Sequence, residues 1–227
     1  MKRIVVFSGA GMSAESGINT FRDSDGLWEK YNIEDVATPE AWKKNPELVL
    51  DFYNQRRIQV LKAEPNAAHI AIATLESKFD VVIVTQNIDD LHERSGSNNV
   101  VHLHGEILKA RSEFDLSTLY DLKEPIRIND LAPDGGQMRP HVVWFGEPVP
   151  AYELGKSIIE SADILIIVGT SLNVYPAAGL VFCTKPGAQK FLVDPDAITM
   201  GNMSDIVMIN ETAGIAIPKL VERLLGE

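Results

Sequence analysis

Short runs of β-branched and aliphatic residues alternate along this chain with longer stretches of helical pattern. Ile4–Phe7, Val81–Val84, Ile164–Val168 and Phe191–Val193 are apolar throughout. Each ends in a polar or glycine turn: Ser8-Gly9, Thr85-Gln86-Asn87, Gly169-Thr170-Ser171 and Asp194-Pro195. Continuous apolar runs imply strands buried on both faces, the condition of a parallel sheet. Helix signals lie between them. Asn45-Pro46-Glu47 supplies an N-cap with proline at the first helical position, and Pro65-Asn66 opens a second helix. Residues 152–162 and 217–225 carry two more. This rhythm predicts an α/β fold with a doubly wound, Rossmann-like parallel sheet.

Residues from about 29 to 75 are mostly helical in pattern and too long for one crossover. Residues from about 106 to 138 are charged, with short apolar patches and an Asp134-Gly135-Gly136 turn. Both read as insertions. The expectation is a dinucleotide-binding domain from residues 1–28, 76–105 and 139–227. A smaller lobe would be built from residues 29–75 and 106–138.

The chain has 227 residues, 45% of them apolar, and a formal charge of −11. It can build a sizeable core, but no cationic face is available for a phosphate backbone, which argues against nucleic acid as a partner. A single cysteine, Cys183, excludes a disulfide framework or a thiolate zinc cluster within the chain. Lys2-Arg3 precedes an apolar run that stops at Ser8-Gly9, shorter than the roughly 7–15 residues of a signal-peptide core, and no run approaches the ~18 residues of a membrane span. The expectation is a cytoplasmic protein with no membrane partner.

Chemistry concentrates at the strand ends, where open α/β sheets bind ligands. Gly9-Ala10-Gly11-Met12-Ser13-Ala14 follows the first strand. It is either a cradle for a phosphate at a helix N-terminus or an ordinary tight strand–helix turn. Gln86-Asn87-Ile88-Asp89 suits a ribose and a carboxamide, or else caps a helix through Asn87 or Asp89. His102-Leu103-His104-Gly105 places two histidines on one face if the segment is a strand. Without a third ligand it makes no metal site. The apolar stretch Val142-Val143-Trp144-Phe145 is either core or an edge that pairs with an extended peptide.

Together, Gly9–Asp23 (GAGMSAESGINTFRD), Thr85–Asp89 (TQNID), Leu103–Glu106 (LHGE), His141–Glu147 (HVVWFGE) and Gly169–Ser171 (GTS) resemble, in order, the sirtuin family of NAD-dependent protein-lysine deacylases. The resemblance implies NAD as co-substrate, acylated-lysine proteins or peptides as partners, and release of nicotinamide and O-acyl-ADP-ribose. It implies that Gly9, Ala10, Gly11, Ala14, Glu15, Gly169, Thr170 and Ser171 contact the dinucleotide. Gln86 and Asn87 would hold the nicotinamide ribose, and Ile88 and Asp89 the carboxamide. Thr20, Phe21, Arg22 and Trp28 would close over the nicotinamide. Asp194, where the family usually has asparagine, and Ala213 would approach the adenosine. His104 would be the general base, with Asn87 beside it. Val142, Val143, Trp144 and Phe145 would pair with the substrate peptide, and His102 would be structural.

Tyr53 and Arg56 stand three apart in a helical segment and so share a face. The Y-x-x-R pattern resembles that of sirtuins removing acidic acyl groups, such as the bacterial desuccinylase and demalonylase-like members. A guanidinium fork with a phenol matches a succinyl or malonyl carboxylate, and an acetyl group offers it less. Arg57 reads as a solvated charge. The family's structural zinc cysteines align with Ser112, Asp115, Leu131 and Asp134, a poor zinc set. The expected lobe is therefore metal-free, with Phe114, Leu116, Leu119, Leu122, Ile126 and Ile128 as its core. Mono-ADP-ribosyl transfer, a non-catalytic NAD or ADP-ribose sensor and a dehydrogenase are the competing readings. The catalytic set His104, Asn87 and Asp89 disfavours the sensor, and the short chain disfavours the dehydrogenase.

Overall fold

The computed structural model describes residues 1–18, 31–196 and 205–226. A six-stranded parallel sheet dominates. Its strands are β1 (Arg3–Ser8), β2 (Asp80–Thr85), β3 (Val100–His102), β7 (Ile164–Val168), β8 (Gln189–Val193) and β9 (Ile206–Ile209). They lie side by side in the order β3-β2-β1-β7-β8-β9. Numbered within the sheet, this is the 3-2-1-4-5-6 order of doubly wound dinucleotide folds. The predicted α/β class is thus observed. The chain leaves β1 toward one edge and later fills the other from β7, so the order reverses between those two adjacent strands.

Burial on both faces explains the unbroken apolar runs. Ile4 and Val6 pack on Ala68 and Ile72 of one helix and Ile217 and Leu220 of another. Val5 and Phe7 meet Ile159, Leu180 and Val181 on the opposite face. The first two of these helices are α5 (Ala67–Thr74) and α8 (Ala213–Leu225), with α7 (Tyr152–Glu160) and a 3₁₀ turn (Ala177–Cys183) on the far side. Helix α8 starts four residues before the sequence signal, because Pro218 within it masks the helical pattern upstream.

The remaining helices are α1 (Gly11–Ala14), α2 (Ile33–Val36), α3 (Pro39–Lys44), α4 (Pro46–Lys62) and α6 (Leu91–Arg94). The N-cap read at Asn45 forms, and the helix start read at Pro65-Asn66 is capped by Asn66. The Asn45 side chain accepts from the Leu48 N–H, and Asn66 makes a capping box with His69. A second, antiparallel sheet is built from β4 (Gly105–Ser112), β5 (Leu119–Asp121) and β6 (Met138–Val142), with β4 in the middle. Residues 139–142, grouped by sequence with the dinucleotide domain, therefore pair within the small lobe.

Helix α4 covers this sheet, and that contact sets the lobe's core. Phe52, Tyr53 and Val60 pack on Ile107, Val142 and Trp144, and Leu50 packs on Ala110 and Ile126. Two expectations need correction here. Phe114, Leu116 and Leu119 are 70%, 51% and 40% exposed. The helix covers only one face of a short sheet, so Leu122, Ile126 and Ile128 are the apolar residues of the expected set that reach the core. Arg57 is 1% exposed rather than solvated. It donates to the Ile107 carbonyl at 3.0 Å and to Asn54 at 2.7 Å, fastening α4 to β4. Among the described residues, no helix is long and apolar enough to cross a membrane.

Candidate active site

The loops after β1 and β7 meet where the strand order reverses, the place at which open sheets bind ligands. Gly9 N–H donates to the Val168 carbonyl at 3.0 Å, and Gly11 N–H to the Gly169 carbonyl at 2.8 Å. Gly169 has φ +62°, and a Cβ there would collide with the Met12 backbone nitrogen and Gly11. These glycines thus let two loops lie on one another, and the N–H groups of Gly9 and Gly11 are spent on that packing. Ala10, between them, precedes the short helix α1, on which Ala14 is exposed.

Glu15 turns elsewhere. Its carboxylate accepts from Gly214 N–H at 2.6 Å and from the Thr212 hydroxyl at 3.1 Å, holding the start of α8, whose first residue, Ala213, is buried. Asp194 is also buried and accepts from Asp196 N–H at 3.0 Å. Ser171 is half-buried beside Thr170. The Thr170 hydroxyl donates to Gln86 Oε1 at 3.0 Å. Gln86 Nε2 is buried with no partner among the described residues. An orphaned buried donor at the switch point suits a hydroxyl-rich ligand, so the strand-end residues fit the ribose of a dinucleotide.

The loop after β2 is built as a chain of buried polar groups. Asn87 Nδ2 donates to Ser13 Oγ at 3.1 Å, and Ser13 Oγ donates to Asp89 Oδ2 at 3.0 Å. Asp89 Oδ1 accepts from Leu91 N–H at 3.2 Å, but the N-cap of α6 is Asp90, which makes no side-chain cap bond, so neither Asn87 nor Asp89 is the cap read from sequence. Burial raises the Asp89 pKa, against the lowering effect of Leu91 N–H and the Ser13 hydroxyl. The Ile88 carbonyl accepts from Ile107 N–H at 2.8 Å, tying this loop to the small sheet. Ser13 joins Asn87 to Asp89, yet sequence reasoning gave it no role. Its only signal was its place in the glycine-rich stretch.

β3 ends at His102, so the two histidines do not lie along one strand. Both nevertheless reach the loop after β2. His104 Nδ1 is 3.1 Å from the Gln86 carbonyl, and His102 Nδ1 is 2.9 Å from the Asn87 carbonyl. A carbonyl can only accept, so His104 Nδ1 carries the proton and Nε2 presents its lone pair. Burial lowers the His104 pKa, partly opposed by the Gln86 carbonyl, which keeps the ring neutral near pH 7. The imidazole is therefore in the form of a base.

The small lobe carries the remaining residues singled out from the sequence. Tyr53 and Arg56 lie on one buried face of α4, beside Phe52. Burial pushes the Tyr53 phenol up, against the lowering influence of Arg56 and Trp144. Burial likewise lowers Arg56, opposed by Tyr53 and Asp89. Val142 and Trp144 point into the core, whereas Phe145 is exposed and Val143 half-buried. Val143, Trp144 and Phe145 N–H groups already donate to the His104 carbonyl, Glu147 and the Ala37 carbonyl. A peptide pairing with this segment would have to use its carbonyls. Glu147 also grips Arg139 at 2.8 Å and lies 3.6 Å from Arg111, and the Arg139 guanidinium stacks on Trp144. Thr20, Phe21, Arg22 and Trp28 lie outside the described residues. At the positions aligned with zinc cysteines, Ser112 Oγ donates to Asp134 Oδ1 at 2.9 Å, Asp115 accepts from Ser117 and Thr118, and Leu131 bridges Gln137.

Comparison with known proteins bears on this geometry. The Sir2 family model matches residues 9–176. A Helicobacter pylori protein named NAD-dependent protein deacylase is 50% identical over 225 residues, covering 99% of this chain and 98% of its own length. A protein of the same name from Bacteroides thetaiotaomicron is 47% identical over 231 residues, covering 99% of each chain. Among solved structures, a Sir2 homolog–NAD complex superimposes with a TM-score of 0.89 at 39% identity, covering 99% of this chain and 90% of that one. An ADP-ribose complex of a mutant Sir2 homologue gives 0.90 at 38%, covering 99% and 92%. The matched segment runs from the first glycine of the β1 loop through the switch point, and with near-complete relatives at about half identity the conclusion is direct: this chain belongs to the Sir2 family.

Proposed function

We propose that this protein removes succinyl and malonyl groups from lysine in preference to acetyl, with His104 as the general base. The enzyme class itself, NAD-dependent protein deacylation, is that of relatives aligned over nearly the whole chain, and this chain is an enzyme of it. Its partners on this reading are acylated-lysine proteins or peptides in the cytoplasm, with neither nucleic acid nor membrane involved.

Bound NAD would supply a glycosidic bond whose cleavage releases nicotinamide, and an ADP-ribose that receives the acyl group from lysine. The chain's residues do the rest. Gln86 and Asn87 orient the ribose, and Ile88 with Asp89 meets the carboxamide. Asp89 is fixed by Ser13 and Leu91 N–H for that contact. His104 Nε2, the ring nitrogen left bare by the Gln86 carbonyl, takes a proton from a ribose hydroxyl so that the acyl group can migrate.

The observation that supports the acyl preference is the buried pairing of Tyr53 and Arg56 on one face of α4, within electrostatic reach of Asp89. A guanidinium and a phenol are donors matched to a carboxylate, and a hydrogen bond to a charged group contributes about 1.5–3 kcal/mol, roughly 10- to 150-fold. The test is nicotinamide release with matched acetyl-, malonyl- and succinyl-lysine peptides, with His104→Tyr as the control. Arg56→Met should collapse the succinyl-to-acetyl ratio. An unchanged ratio in that variant refutes the preference.

A further inference from the structure

His102 holds the loop after β2 one residue further along than His104 does. Its Nδ1 is 2.9 Å from the Asn87 carbonyl and its Nε2 is 2.8 Å from Glu93 Oε1. A peptide carbonyl and a carboxylate are both acceptors, so two good hydrogen bonds require a proton on each ring nitrogen. His104, with one such partner, is complete as a neutral ring. Two histidines separated by one residue thus hold the consecutive carbonyls of Gln86 and Asn87 in opposite protonation states, an arrangement typical of paired acid–base groups. Asn87 is braced from below as well. Its N–H donates to Thr85 Oγ1 at 3.0 Å, which accepts from Ser8 Oγ, itself 3.0 Å from His92 Nε2.

We propose that His102 is a positioning residue for the reaction: as a cation held by Glu93, it clamps the Asn87 carbonyl and keeps the Gln86–Asn87 loop aligned with the ribose and with His104. This rests on the deacylase reading above. The surroundings favour the charged ring. Burial lowers its pKa, but the Glu93 hydrogen bond and charge, the Asn87 carbonyl and Glu106 outweigh that and leave it raised. The groups facing it are Glu93 and His92 from α6, Asp89 from the loop and Glu106 from β4. Lys109 pairs with Glu106, and His92 stays neutral through burial. Loss of one proton forces the ring to release either Glu93 or Asn87.

The test measures kcat and KM for NAD against pH in wild type, His102→Gln and Glu93→Gln, with ADP-ribose affinity by calorimetry. Gln at 102 carries no charge and donates from one nitrogen, so it cannot reach both partners with the geometry of the ring's two nitrogens. It should raise KM for NAD by roughly tenfold or more, leave KM for the acyl peptide unchanged, and remove the alkaline limb of the profile. Glu93→Gln, a change at a half-exposed side chain, should keep the fold and move that limb to lower pH. Unaltered NAD KM in His102→Gln, or an unmoved limb in Glu93→Gln, overturns the proposal. A wild type that binds ADP-ribose without turnover overturns the deacylase reading instead, and the affinity ratio of the variants still decides the role of His102.

Discussion

His104 Nδ1 lies 3.1 Å from the Gln86 carbonyl oxygen, and that contact decides which nitrogen of the ring is free to act as a base. Replacing the ring with His104→Asn removes the lone pair while leaving a donor for the carbonyl. Turnover to O-acyl-ADP-ribose should fall roughly 10²–10⁴-fold, with ADP-ribose affinity within a few-fold of wild type. Retained turnover would show that another group takes the proton.

In the proposed acyl pocket, Tyr53 supplies the second donor. Tyr53→Phe keeps the ring packed against Phe52 and deletes one hydroxyl. Succinyl-peptide kcat/KM should drop by about tenfold, with acetyl-peptide turnover little affected. Equal losses on both peptides would assign the hydroxyl to the fold.

Glu147 neutralises the buried guanidiniums of Arg139 and Arg111 and accepts from Trp144 N–H. Glu147→Ala leaves both cations buried without their carboxylate, which should cost about 3–5 kcal/mol of stability. Urea denaturation checks this, and a loss under about 1 kcal/mol would mean that solvent reaches the pair.

Burial lowers His69 to about 4 and holds His92 well below its ordinary value. Both therefore bind their protons first in the unfolded chain. Their contribution to stability is complete above about pH 6.5 and is lost as pH falls toward 4, at about 1.4 kcal/mol per pH unit for each group. His69→Gln retains a capping-box residue at that position and should flatten the decline between pH 6.5 and 5 in denaturant midpoints. An identical decline would place the acid sensitivity elsewhere.

The small lobe closes through Ser112 and Asp134. A chelator should leave the melting temperature unchanged, and elemental analysis should find no stoichiometric zinc. Ser112→Ala should cost about 1 kcal/mol. Zinc at one equivalent would overturn the metal-free lobe.

The amino-acid sequence alone determined the α/β class, because Ile4–Phe7, Val81–Val84 and Ile164–Val168 are apolar at every position, rich in β-branched residues and bounded by polar or glycine turns, the pattern of strands buried on both faces. Local chemistry also announced the cap at Asn45, the helix start at Pro65-Asn66 and the polar strand ends where Gln86, Asn87, Asp89 and His104 cluster. What only the tertiary structure decided depends on distant partners. Short β3 and β9 carry too little pattern to stand out before they pair with β2 and β8. Arg57 becomes a buried anchor only once β4 offers the Ile107 carbonyl, and Phe114 stays in solvent because α4 covers the sheet's other face. Glu15 is drawn to Thr212 and Gly214 across nearly the whole chain. The hydrogen-bond partners of His102 and His104 likewise follow from which acceptors the fold sets beside each ring, a long-range outcome that residue type and spacing do not encode.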